Sequence, residues 1–160
     1  MAFQKLVNAS KRYFPNLQIR YKNTSPLMKL FALFNNKDYM THHMATFGTT
    51  IYIPNEHFLK LHPIASIVLF LHELTRLKIS KKKSYLSSLY VIQKLSQTMH
   101  FTPHLDVESK NLIHRLQHHW TRSALSLEIE FEGALLNIRE GQRPFEDPIF
   151  DIIDDLLNNL

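Results

Sequence analysis

The sequence predicts an α+β fold, a mostly helical single domain with a small β-sheet that precedes a central helix. Apolar residues recur at intervals of three and four through most of the chain after residue 63, which is the spacing of amphipathic helices. β-branched and aromatic residues concentrate in one segment, residues 46–54, just before that helical part. A chain of 160 residues is also short for two separate cores, so we expect one domain spanning residues 1–160.

The N-terminal part predicts two helices separated by a strand. Residues 3–13 are short and amphipathic, and Pro15 closes this first helix. Residues 17–21 (LQIRY) alternate apolar and polar side chains, as a half-buried strand does. Ser25 and Pro26 form an N-cap and first-turn pair that opens a second helix, which we expect to include Phe34.

The predicted sheet and central helix follow. Residues 39–54 are the β-rich part of the chain, where Gly48 indicates a tight turn between two short strands and Pro54 ends the second. Pro63 can occupy the first turn of the central helix. The apolar side of that helix has three-four spacing and consists of Ile64, Ile67, Val68, Leu71, Leu74 and Leu77.

The rest of the chain predicts further helices. Residues 81–84 (KKKS) contain the only basic run and predict a solvated turn after the central helix. Helices are predicted over residues 85–99, 107–120 and 121–139. The run GQRPFEDP breaks the pattern at residues 141–148, and residues 149–160 predict a short acidic helix. Residues 141–160 are therefore expected to form a C-terminal tail of the domain.

Composition excludes several kinds of functional site. Cysteine is absent, so any metal would need imidazole or carboxylate ligands, and there is no cysteine nucleophile. The sequence has neither a P-loop nor a G-x-G-x-x-G motif. Residues 1–30 lack a secretory signal pattern, and the longest apolar run, residues 64–71, is too short to span a bilayer. We expect no secretion by a signal peptide and no membrane partner.

The central helix contains an incomplete metallopeptidase motif. Zinc peptidases with an H-E-x-x-H helix need two histidines four residues apart, because these side chains lie one above the other and reach one metal. The glutamate between them acts as general base on the metal-bound water. Here His72 and Glu73 are present, but Arg76 takes the place of the second histidine. A guanidinium has no lone pair for a metal, although it can pair with Glu73 across one turn.

Three further segments accompany this motif: NKDYMT at residues 36–41, TFGTTIYIP at 46–54 and SYLS at 84–87. Together they resemble a family of small zinc metallopeptidases encoded largely by tailed bacteriophages and related bacterial elements. That family shows N-x-x-[FY]-M-T, then T-x-G-x-T-[IV]-Y-[FVI]-P, then the H-E-x-x-H helix. The resemblance covers roughly residues 13–127 and implies a zincin-like fold. It makes His72 a vestigial first zinc ligand and Glu73 a vestigial general base, with Arg76 replacing the second ligand.

The resemblance also places the third ligand, a glutamate, on a later helix. The matching run of this chain has Trp120 or Thr121 at that position, although Glu128 or Glu132 could approach instead. With two of three ligands replaced, we expect an inactive pseudo-metallopeptidase without a cofactor. By the same resemblance we expect a phage-encoded structural or accessory protein with protein partners. It would reside in the host cytoplasm or in the virus particle.

Two alternatives remain open at this point. The first is an active zinc metallopeptidase with rearranged ligands, which would use His72 together with His114, His118 or Glu128. Zinc would then be the cofactor. His114 and His118 are four residues apart in a predicted helix, the spacing that lets two imidazoles share a metal.

The second alternative is a basic module that binds nucleic acid. The chain has a formal net charge of +5, and Lys78, Lys81, Lys82 and Lys83 lie close together in the sequence. Scattered Tyr and Phe residues beside lysines do not form an RNA-binding signature, so we favour protein partners over nucleic acid.

Overall fold

The computed structural model describes residues 2–35, 40, 43–97, 107–126 and 132–160. The prediction of an α+β fold, mostly helical with a small sheet, is confirmed. The elements of the described residues are, in chain order, α1 (Ala2–Tyr13), β1 (Gln18–Tyr21), a 3-10 turn (Lys22–Thr24), α2 (Pro26–Ala32), β2 (Ala45–Phe47), β3 (Thr50–Ile53), α3 (Glu56–Leu61), α4 (Pro63–Thr75), α5 (Lys81–Ser96), α6 (Val107–Leu125), α7 (Glu132–Arg139) and α8 (Ile149–Asn158).

The N-terminal elements follow their sequence signals. Ser25 caps α2, since its side chain accepts a hydrogen bond from the amide of Met28 at 3.3 Å. The helix ends at Ala32, two residues before the predicted Phe34. Beyond Ala32 the hydrogen bonds change to the shorter i to i+3 pattern, in which the amide of Phe34 donates to the carbonyl of Phe31 at 3.1 Å.

The three strands form one sheet with the order β1-β3-β2. β1 is parallel to β3, with Ile19 opposite Ile51, whereas β2 is antiparallel to β3, with Thr46 opposite Ile51. Gly48 and Thr49 connect β2 to β3, and Gly48 has a φ of 63°. Glycine at the first central position is the pattern of a type II′ turn, which suits the twist of a two-residue hairpin. The turn predicted at Gly48 is present.

Helix α4 is the central helix of the molecule. Every residue from Ala65 to Thr75 is buried, because helices α1, α3, α5 and α6 and strand β3 all pack against it. Pro63 occupies its first turn, as predicted. The helix ends at Thr75 rather than at Leu77. Helix α3, which precedes it, was not predicted, although Asn55 caps it by accepting the amide of Phe58 at 2.8 Å.

Two predicted boundaries in the helical part are wrong. The run at residues 81–84 is not a turn but the first turn of α5, because the Ser80 side chain caps the helix by accepting the amide of Lys83 at 3.3 Å. Helix α6 also continues past the boundary predicted between Trp120 and Thr121. No glycine or proline interrupts the chain there, and the buried side of α6 runs on from Trp120 to Ala124. The loop predicted near residue 103 lies outside the described residues.

The C-terminal helix α8 packs against the N-terminal helix α1. Phe150, Ile153 and Leu156 are buried, and α8 packs against both α1 and α5. The Tyr13 hydroxyl donates to Asp155 at 2.5 Å, joining α1 to α8. Among the described helices, none has the length and apolar character needed to cross a membrane.

Candidate functional site

A pocket of about 640 Å³ lies beside the C-terminal end of α4. It is bounded by α4, α5, α6 and the region of β2. Its polar and aromatic lining consists of Asn35, His43, Thr46, His72, Glu73, Arg76, Lys81, Tyr85, Arg115, His119 and Trp120. The structure therefore brings the incomplete motif of α4 into the pocket with residues that the sequence alone did not place there. The volume falls in the range of ligand-binding pockets.

Glu73 is buried, with 5% of its surface exposed, and its carboxylate is already bonded within the protein. The Thr46 hydroxyl of β2 donates to Oε2 at 2.5 Å, and Nη1 of Arg76 lies 3.5 Å from the same oxygen. Burial raises the pKa of Glu73, while Thr46, Arg76 and Lys22 oppose that rise. The pairing of Arg76 with Glu73, which the sequence left open, is present.

His72 is held in one tautomer by helix α5. Its Nδ1 lies 2.5 Å from the Ser88 hydroxyl, which itself donates to the carbonyl of Ser84 at 2.7 Å. A hydroxyl has one proton to donate, so Nδ1 carries the hydrogen and donates to Ser88. Burial, together with the charges of Arg76, His119 and Lys81, lowers the pKa of His72 to about 3. The ring is neutral at neutral pH.

Trp120 covers the His72 ring. The two ring centroids are 4.7 Å apart and the planes are inclined by 16°, which is a stacked arrangement. Trp120 is 3% exposed. Tyr85 also stacks with His72, at a centroid distance of 6.1 Å. Of the two residues proposed for the third-ligand position, Trp120 rather than Thr121 is therefore the one that contacts His72.

The residues at the positions that the resemblance assigns to the three ligands do not fit zinc. His72 offers one nitrogen lone pair, but Arg76 is a permanent cation without a lone pair. Trp120 has only an indole N–H donor, so it cannot bind a cation through nitrogen. Within the described ranges, no group of three His, Asp or Glu side chains is placed to hold a metal ion.

The alternative ligands from α6 do not join His72 in this pocket. His114 and His118 are exposed and are absent from its lining, whereas His119 lies in it. The pocket side of α6 consists of Leu112, Arg115, Leu116, His119 and Trp120, and helical spacing turns His114 and His118 away from it. Glu128 lies outside the described residues, as does the side chain of Glu132.

The four lysines of the nucleic-acid alternative have different surroundings. Lys81 lines the pocket. The ammonium group of Lys78 lies 5.5 Å from the centre of the Phe14 ring, and that of Lys83 lies 5.4 Å from the centre of the Phe145 ring. Lys82 is exposed. Lys78, Lys81 and Lys83 therefore contact different parts of the molecule.

Some residues at or near the site were missed from the sequence. Ser84 and Ser88, four residues apart on α5, have a helical spacing that could have revealed their common side. Lys22 gave no such signal: it follows the exposed residues Arg20 and Tyr21 but is itself fully buried. Burial lowers its pKa to about 8, and the charge of Glu73 opposes this. Arg115 was not predicted to line the site either, because the sequence did not show which side of α6 faces the pocket.

No protein-family model, no curated protein and no solved structure matches this chain.

Proposed function

We propose that this chain is a zincin-like protein that has lost its metal site and acts by binding a partner rather than by catalysis. The single observation that carries the proposal is the composition of the three ligand positions, His72, Arg76 and Trp120, around one pocket. Two of these side chains cannot donate an electron pair to zinc. Arg76 also brings a positive charge to the place where a cation would bind.

The state of Glu73 supports the same proposal. A general base in a metallopeptidase needs its carboxylate free to accept a proton from the metal-bound water. In this chain the hydroxyl of Thr46 and the guanidinium of Arg76 both contact Oε2 of Glu73. The carboxylate thus serves as a structural acceptor and counter-ion.

The packing of His72 supports it further. The buried ring contacts Ser88, Trp120 and Tyr85, and it is neutral. Aromatic stacking of this kind adds about 1 kcal/mol to a buried contact. A vestigial ligand that has become part of the core would keep the scaffold folded after loss of the metal.

The proposed biological role rests on the resemblance of residues 36–41, 46–54 and 84–87 to the phage-type metallopeptidase family. We infer a structural or accessory role with protein partners, in the host cytoplasm or in a virus particle. The retained pocket would be the feature that distinguishes such a binding protein from an inert scaffold.

The metal content of the purified protein tests this proposal. The protein is loaded with zinc, desalted and measured by elemental mass spectrometry. We expect a zinc content close to zero and no peptidase activity. A content close to one zinc per chain, abolished by His72→Ala, would instead support the active metallopeptidase.

Restoration of the ligands provides a second test. We expect Arg76→His with Trp120→Glu to bind zinc, because this change supplies the two missing donors next to His72. The matched control is the same double variant with His72→Ala, which should lose the metal. The control pair Arg76→His with Thr121→Glu should bind more weakly, since Trp120 and not Thr121 contacts His72. If a folded Arg76→His, Trp120→Glu variant binds no zinc, these are not the old ligand positions.

A further inference from the structure

The pocket beside α4 has an unusual charge for a former cation site. Three cationic side chains line it: Arg76, Lys81 and Arg115. Among the described lining residues, Glu73 is the one carboxylate. The pocket lining therefore carries an excess of positive charge.

The cations differ in how far they are already neutralised. Arg76 pairs with Glu73, and a third of its side chain is exposed. Lys81 and Arg115 make no hydrogen bond or ion pair within the part of the chain that the structure describes, and both are exposed. Two exposed cations without a direct ion pair among the described residues thus line the pocket together with Arg76, which has one.

Aromatic and aliphatic side chains form another part of the lining, beside Asn35, Thr46 and three histidines. Trp120 and Tyr85 form one part, and Leu69, Leu112 and Leu116 contribute aliphatic surface. A pocket of this composition buries an apolar body and fixes its orientation through a few polar groups. Arginine is suited to carboxylates and phosphates because its guanidinium can make two parallel hydrogen bonds.

We propose that this pocket binds an anionic ligand, a molecule with a carboxylate or phosphate group on an apolar or aromatic body. Arg115, Lys81 and Arg76 bind the anionic group, and Trp120, Tyr85 and the leucines contact the body. The inference deepens the proposed binding function and rests on it, since a metal at His72 would change the charge of the pocket. Replacement of a zinc ligand by Arg76 converts a cation site into an anion site.

Trp120 provides the readout, because it is the only tryptophan of the chain and lines the pocket. Its fluorescence, excited at the red edge of indole absorption, is titrated with 3-phenylpropionate and with phenyl phosphate. The neutral 3-phenylpropionamide and inorganic phosphate serve as matched probes for the body alone and for the charge alone. We expect saturable binding of at least one of the two aromatic anions in the low-millimolar range or tighter. The tighter of the two identifies the preferred anionic group.

Variants of the cations test the assignment. We expect Arg115→Gln and Lys81→Gln each to weaken binding about tenfold, the value of one charge-assisted hydrogen bond. Arg122→Gln on α6 and Lys82→Gln on α5 are matched controls, because neither residue lines the pocket. We expect Glu73→Gln to strengthen binding several-fold, since it frees Arg76 from its counter-ion. A purely structural role of Glu73 would not produce tighter binding.

Three results would overturn the inference. These are no saturable response to either aromatic anion, equal affinity for the neutral amide, and equal effects of the pocket and control variants. The zinc content of the same preparations separates this inference from the proposed function. A metal-free protein that binds neither anion refutes the anion site alone, whereas a zinc-loaded protein refutes the proposed function.

Discussion

Each residue of the incomplete motif has a role that follows from its own contacts. His72 is neutral and buried, and it donates to Ser88 while stacking on Trp120. Glu73 accepts from Thr46 and neutralises Arg76. At this scale the three side chains behave as parts of a packed interior, in which buried polar groups are satisfied internally.

The protonation of His72 predicts a pH dependence of stability. Its pKa in the folded protein is about 3, below the value of 6.5 that an exposed histidine has. Between these pH values the unfolded chain binds a proton at His72 that the folded chain does not, so stability falls as the pH falls. We expect this residue to cost on the order of 3 kcal/mol between pH 7 and pH 4.

Urea denaturation at several pH values measures the effect. The comparison is with His72→Gln, which does not titrate, so the variant should lose less stability than the wild type as the pH falls. Glu73 contributes with the opposite sign, because its pKa is raised, but it does so in both proteins. Parallel pH profiles of the two proteins would show that the imidazole is solvated rather than buried.

At the scale of elements, the β2–β3 hairpin determines where Thr46 meets Glu73. Thr46 lies on β2, 27 residues before Glu73, and its position depends on the register that pairs it with Ile51. A short hairpin fixes that register through its turn. Gly48 is the residue that allows the turn, because its φ of 63° is unfavourable for side chains with a Cβ atom.

We expect Gly48→Ala to destabilise the protein by about 1–2 kcal/mol, the cost of the left-handed backbone for an L-residue. A Cβ atom there would meet no neighbour within 4 Å, so the cost comes from the backbone alone. Gly133→Ala in α7 is the matched control. It also meets no neighbour, and alanine should stabilise that helix by about 0.5–1 kcal/mol. Urea midpoints that move in the same direction for both variants would contradict this account.

On the scale of the whole molecule, polar contacts join the C-terminal helix to earlier parts of the chain, including the N-terminal helix. The Tyr90 hydroxyl of α5 donates to Oδ1 of Asp154 at 2.6 Å, and Arg143 donates to Oδ2 at 2.8 Å. Tyr13 and Asp155 are 142 residues apart in the sequence. These contacts close the helical layer around α4, since α8 packs on both α1 and α5.

We expect Tyr90→Phe to lower the free energy of unfolding by about 1.5–2 kcal/mol, through loss of one hydrogen bond to a charged group. Phenylalanine keeps the edge-to-face contact with Phe150, whose ring centroid lies 5.2 Å away. Lys60→Gln is the control. It removes an ion pair to Glu56 whose two side chains are 62% and 70% exposed, so no measurable change is expected. Equal thermal shifts for the two variants would show that the contact with Asp154 is unimportant.

The sequence by itself determined the elements whose signals are local. Ser25 with Pro26, Gly48, and Pro63 predicted the start of α2, the hairpin turn and the start of α4, because each acts through the conformation of its own few residues. The sequence also identified the interrupted motif on α4, since helical spacing alone places His72, Glu73 and Arg76 near one another.

Only the tertiary structure decided which residues meet that motif from other elements. The rotation of α6 selects Trp120 and His119 over His114 and His118, and the packing of β2 on α4 brings Thr46 to Glu73. Lys22 is buried although its neighbours in the strand are exposed. These positions depend on how distant segments pack against one another, and that packing energy is shared among many side chains. No local sequence pattern therefore predicts these tertiary contacts.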